Sequence, residues 1–106
     1  MNEEQVKVCR DAVNTFGIKP QVDMMQEEMS ELGVAIGHWK RGRAREEEVI
    51  TEIADVMIVA RQMAYIFGEE EVEAEVERKL ERLRKRIEEQ RGARKKKPAN
   101  KEYYGC

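Results

Sequence analysis

Aromatic side chains make up only 6% of this 106-residue chain, which has two prolines, two cysteines and one histidine. With so few rings and prolines, and 40% of residues charged, the composition favours amphipathic helices over strands. Cys9 and Cys106 are too few and too far apart for a disulfide framework, and neither forms a metal-type spacing with His38. Reduced thiols are the expectation. No stretch approaches the roughly 18 consecutive apolar residues of a membrane span. The opening Met1-Asn2-Glu3-Glu4 is acidic and no apolar segment follows, so a cytoplasmic location is expected. No Ser/His/Asp or Cys/His nucleophile set is evident.

A basic stripe is also missing from most of the chain. Residues 1–90 carry 14 basic and 21 acidic side chains, a net charge of −7, whereas residues 91–106 are +5. The acidic part argues against nucleic-acid binding by its main surface, which would need clustered cations. If it handles phosphates, a bound cation must offset its acids. The division is therefore a domain at 1–90 and a basic, disordered tail at 91–106. A non-catalytic helical interaction module, binding nucleic acid through that tail, is the competing functional class.

Periodicity draws four helices. Asn2 is a plausible N-cap, and Val6, Cys9, Val13 and Phe16 recur at spacings of three and four before Gly17. Phe16 therefore reads as a core residue. Pro20 suits the first turn of a second helix, to about His38, with Met25, Met29, Leu32 and Ile36 as its stripe. The polar HWKRGRAR at 38–45 reads as a connection. A third helix follows from about Glu46 to Ile66, and a fourth from Glu69 with Val72, Val76, Leu80, Leu83 and Ile87. The fold class is all-α: a four-helix, antiparallel, bundle-like chain whose open helix faces are expected to be completed by oligomerisation.

Some acids stand where apolar residues belong. In VITEIADVMIVA (49–60), only Thr51, Glu52 and Asp55 interrupt apolar residues that span every face, which predicts a helix buried on most sides. In MMQEEMSELGVAI (24–36), Glu27, Glu28 and Glu31 interleave with Met25, Met29 and Leu32. Glu28 and Glu31 are three apart, as are Glu52 and Asp55, so each pair projects from one helix face. The two pairs lie symmetrically about Arg41-Gly42, so a chain reversal there brings them to one height. An unpaired buried carboxylate is costly, and such acids are normally paired or bound to metal. Four carboxylates without nitrogen or sulfur ligands would suit Mg²⁺ or Mn²⁺. The competing reading is a solvated face; that reading is adopted for Glu70 and Glu73.

Glu27-Glu28-x-x-Glu31, then twenty residues, then Glu52-x-x-Asp55 resembles the EExxE…ExxD signature of the MazG-like all-alpha nucleotide pyrophosphohydrolases. QEEMSELGVAI and EIADVMI resemble that family's two motif helices, and the resemblance covers about residues 20–90. It implies Mg²⁺-dependent hydrolysis of nucleoside triphosphates between the α and β phosphates, in a homodimer or homotetramer. By position, Glu28, Glu31, Glu52 and Asp55 would be metal ligands, while Glu27 and Glu28 would serve the attacking water. The related phosphoribosyl-ATP pyrophosphohydrolases share the chemistry and supply an alternative substrate. In many relatives a Lys on the last helix is followed four residues later by Asn; here Lys79 is followed by Leu83, a departure that bears on substrate contacts. Lys40 and Arg43 in the connection, with Lys79, are the candidate phosphate-binding cations; the other reading is a solvated turn. A di-iron carboxylate bundle fits poorly, since it uses Glu-x-x-His pairs and His38 belongs to none.

Overall fold

The computed structural model describes residues 1–93, and these form four α-helices with no strand among them: α1 (Glu3–Phe16), α2 (Ile18–Lys40), α3 (Glu46–Phe67) and α4 (Glu69–Ala93). Of the expected basic tail, residues 91–93 instead continue α4, and residues 94–106 lie outside the described residues. Among the described residues no helix is long and apolar enough to cross a membrane.

Local chemistry sets the helix ends. The Asn2 side chain accepts a hydrogen bond from the Gln5 N–H at 2.8 Å, and the Gln5 side chain accepts from the Asn2 N–H at 3.0 Å. This reciprocal pair satisfies two otherwise orphaned donors at the start of α1. Gly17 alone links α1 to α2. Between α2 and α3 the chain reverses at Gly42, whose φ of +71° favours a residue without Cβ. The Arg43 N–H donates to the His38 carbonyl at 2.8 Å and helps close the turn. Glu48 accepts from the Arg45 N–H at 3.1 Å, and Glu46, Glu47 and Glu48 complement the positive N-terminal end of α3. Gly68 separates α3 from α4 with a φ of +127°, and a Cβ there would stand 2.7 Å from the Glu71 carboxylate.

Helices α2 and α3 make the principal packed pair, an antiparallel hairpin, and α1 lies against both. Cys9 and Val13 of α1 bury against this pair together with Val59 and Ala64 of α3, and Gln21 and Gln62 are buried beside them. An ionic clamp ties the start of α4 to this core. Arg10 donates two hydrogen bonds to Glu69, at 2.8 and 3.0 Å, and Arg61 reaches both Glu69 and Glu73. Tyr65 donates to Asn14 at 3.1 Å, joining α3 to α1.

Several apolar residues differ from their expected places. Phe16, the last residue of α1, is 65% exposed, beyond the final buried position of that helix at Val13. On α2, Met25 and Leu32 are half-buried, while Met29 and Ile36 are exposed. Only part of the apolar stripe faces α3. Helix α3 is not buried on most sides within one chain: Ile50, Ile53, Met57 and Ile58 remain exposed. Beyond Val72, every described residue of α4 is exposed.

Candidate metal centre

The Gly42 reversal sets the register of the hairpin, and the register brings acids of two helices together. Each of Glu28, Glu31 and Glu52 offers a carboxylate oxygen lying within 4.8 Å of the others. Glu28 and Glu31 come from successive turns of α2, and Glu52 faces them from α3. Glu28 and Glu52 are half-buried, and one Oε2 atom of each is shut off from solvent with no hydrogen-bond partner. Removing a charged oxygen from water without a compensating donor is unfavourable.

The electrostatics follow from that crowding. Burial, first, and then the negative charges of Glu31, Asp55 and Glu52 raise the Glu28 carboxyl above its ordinary range. Glu52 is raised for the same reasons: burial, then Glu31 and Asp55. The proximity of Glu31 adds to the rise of both, since a neighbouring carboxylate favours the protonated form. Asp55 is half-buried one turn beyond Glu52; it lies outside the tight three-residue group, yet its charge acts on both Glu28 and Glu52.

The remaining candidate residues sit elsewhere. Glu27 precedes Glu28 in sequence but is exposed and outside the three-acid group. Lys40 ends α2 and Arg43 follows the Gly42 turn, both exposed. Lys79 is exposed on α4, where its charge acts on Glu75 one turn earlier. Glu70 and Glu73 are exposed, Glu73 engaging Arg61.

A groove of about 450 Å³ opens between α2 and α3 beside the cluster, with Glu31 and Glu52 on its wall. Ser30, His38 and Glu48 line it too; from sequence His38 reads as a helix-end capping or packing residue, and Ser30 and Glu48 carry no role. The signal was present: Glu48 stands one turn before Glu52, and His38 two turns after Glu31, so each shares a face with a motif acid. A separate, largely apolar pocket of about 340 Å³ is formed by Ile36, Trp39, Val49, Ile50 and Ile53. Comparison with protein-family models, curated proteins and solved structures gave no match.

Proposed function

We propose that this chain is a Mg²⁺-dependent nucleotide pyrophosphohydrolase of the MazG-like kind, converting a (deoxy)nucleoside triphosphate and water to the monophosphate and pyrophosphate. The observation carrying this reading is the meeting of Glu28, Glu31 and Glu52 from two helices, with buried oxygens that lack donors. The donor set fits a hard divalent cation: carboxylate oxygens only, with the charge of Asp55 acting on Glu28 and Glu52 from outside the three-residue group. Glu28, Glu31, Glu52 and Asp55 would hold Mg²⁺, with Mn²⁺ as a substitute. Such a cation neutralises phosphate oxygens and lowers the pKa of a bound water.

The chain's own groups supply the rest. The carboxylates of Glu27 and Glu28 are proposed as the bases that take a proton from the attacking water. Attack at the α-phosphorus forms one P–O bond, breaks the bond to the β-phosphate oxygen, and releases pyrophosphate. The groove offers the Ser30 hydroxyl and the His38 imidazole as polar contacts for the substrate. Lys40, Arg43 and Lys79 are the cations proposed to contact the departing phosphates. Rate enhancement then rests on positioning and charge stabilisation.

Within this reading the protein is a cytoplasmic homodimer or homotetramer that clears nucleotides from the pool. A phosphoribosyl-ATP substrate is the alternative with the same chemistry. The exposed apolar residues of α3 and α4 favour a second reading, a non-catalytic helical interaction module. Hydrolysis in ¹⁸O-labelled water separates the possibilities. The proposed reaction places the label in the monophosphate; label in the pyrophosphate would mean attack at the β-phosphorus, and no hydrolysis would favour the interaction module.

A further inference from the structure

Among the described residues, helix α4 is tied to the body at its start, through Glu69, Glu73 and the half-buried Val72. From Glu73 to Ala93 every residue is exposed, so this helix runs on without cover from the other described helices. In proteins most helical stability comes from packing of an apolar face rather than from propensity. Pairs such as Arg78 with Glu75, and Arg84 with Glu81 and Glu88, support it modestly. They leave Val76, Leu80, Leu83 and Ile87 uncovered, each 41–58% exposed. These four recur at spacings of four, three and four, which is the a/d seam of a coiled coil rather than a scattered surface pattern.

The charge along α4 identifies what fits that seam. Residues 69–77 hold six glutamates and no basic residue, whereas residues 78–91 hold seven basic and three acidic side chains. A helix with this polarity is complementary to itself reversed. The centre of the seam lies between Glu81 and Arg82. An antiparallel second copy about that point sets Val76 against Ile87 of the other chain and Leu80 against its Leu83. With Leu80 and Ile87 at a positions, the flanking e positions are Glu70, Glu77, Arg84 and Arg91. The same reversal then sets Glu70 beside Arg91 of the second copy, and Glu77 beside its Arg84. The one like-charged flanking contact is Lys79 with Arg86. A parallel pairing would set Lys79 beside Arg84 and Arg86 beside Arg91, with no opposite-charge flanking pair to offset them.

We infer that the projecting part of α4 is a self-association surface, which pairs two copies of this chain antiparallel about Glu81-Arg82 through Val76, Leu80, Leu83 and Ile87. The surface is independent of the acid cluster and of any hydrolytic activity. Because each copy contributes the same patch, the pairing closes as a two-fold dimer and leaves no sticky end on this helix.

Sedimentation of the full chain, with a cross-linking arm, tests this. The chain sediments as a dimer or a multiple of one, and Leu80→Glu/Leu83→Glu weakens the pairing at least about 100-fold in Kd, since it buries unpaired charge. Circular dichroism shows whether that variant keeps its helices. In a Cys106→Ser background, Val76→Cys/Ile87→Cys forms a disulfide-linked dimer on mild oxidation. Val76→Cys alone does not, because antiparallel copies hold its two sulfurs about 16 Å apart along the axis. A monomer at all concentrations overturns the inference, as does efficient linking by Val76→Cys alone. An assembly indifferent to Leu80→Glu/Leu83→Glu also overturns it, and points to the exposed face of α3 instead. If the chain is monomeric but single-stranded DNA binds the α4 surface, the occupant is a nucleic acid and the pairing is wrong.

Discussion

The α2–α3 hairpin and helix α4 are both rich in glutamate, yet they use it in opposite ways. On α4, Glu75 and Glu81 each sit beside an arginine three residues later, and their carboxyls are held below the ordinary range by those hydrogen bonds. Glu69, gripped by Arg10, is lowered for the same reason. In the hairpin, Glu28 and Glu52 are raised by burial and by other carboxylates. The number of acids therefore says little about where chemistry resides. What distinguishes the hairpin is that its acids are pressed together and partly dried, with no ion pair to them among the described residues.

Four expected outcomes would break or sharpen that contrast. The largest concerns Glu52→Gln. It should reduce metal-dependent turnover more than about 100-fold, since even residues that only support a metal ligand cost 10–100-fold. The same variant should melt no lower than the parent chain in EDTA, because it relieves crowding; a marked loss of metal-free stability would show that Glu52 is a structural residue. Next, Glu69→Gln should lower stability measurably by denaturant titration, since it weakens the charge-assisted hydrogen bonds to the partly exposed Arg10 and leaves Arg61 with Glu73 alone. One amide substitution is neutral or helpful and the other harmful, although both replace a glutamate.

The third outcome is their pH dependence, which has opposite sign. Glu28 and Glu52 bind a proton more tightly folded than unfolded. Their stabilising contribution is full below the ordinary carboxylate pKa of about 4.3 and is lost as pH rises through the raised folded values. Glu69 is the reverse: its contribution is present above the ordinary value and is lost as pH falls through the lowered one. Melting curves in EDTA across the acid-to-neutral range should thus show any benefit of Glu52→Gln growing with pH. The penalty of Glu69→Gln should shrink as the solution becomes acid. The smallest effect is Glu81→Gln, an exposed partner of Arg84, for which no resolvable change in Tm or turnover is expected.

The helices were legible in the sequence because their ends carry local chemistry: the Asn2 cap, the Gly17 and Gly68 breaks and the Gly42 reversal. The meeting of Glu28, Glu31 and Glu52 was legible because the acid pairs are symmetric about Arg41-Gly42, and an antiparallel hairpin converts that symmetry into proximity. What covers each apolar stripe was not. Periodicity names the face of a helix but not its neighbour, so Phe16, Met29 and Ile36 read as core and are exposed. The Arg10–Glu69 clamp joins residues 59 positions apart, a pairing no local pattern encodes. Neither His38 nor Glu48 interrupts an apolar run, so local pattern gives His38 a helix-end role and leaves Glu48 among the solvated acids, although both line the groove.

The most direct test of the central claim is pyrophosphate release from a panel of canonical and modified nucleoside triphosphates, measured with Mg²⁺, with Mn²⁺ and with EDTA. The account predicts metal-dependent release of pyrophosphate and monophosphate in equal amounts, abolished by EDTA and by Glu52→Gln. Silence across the panel, with no metal-induced rise in Tm, would contradict it.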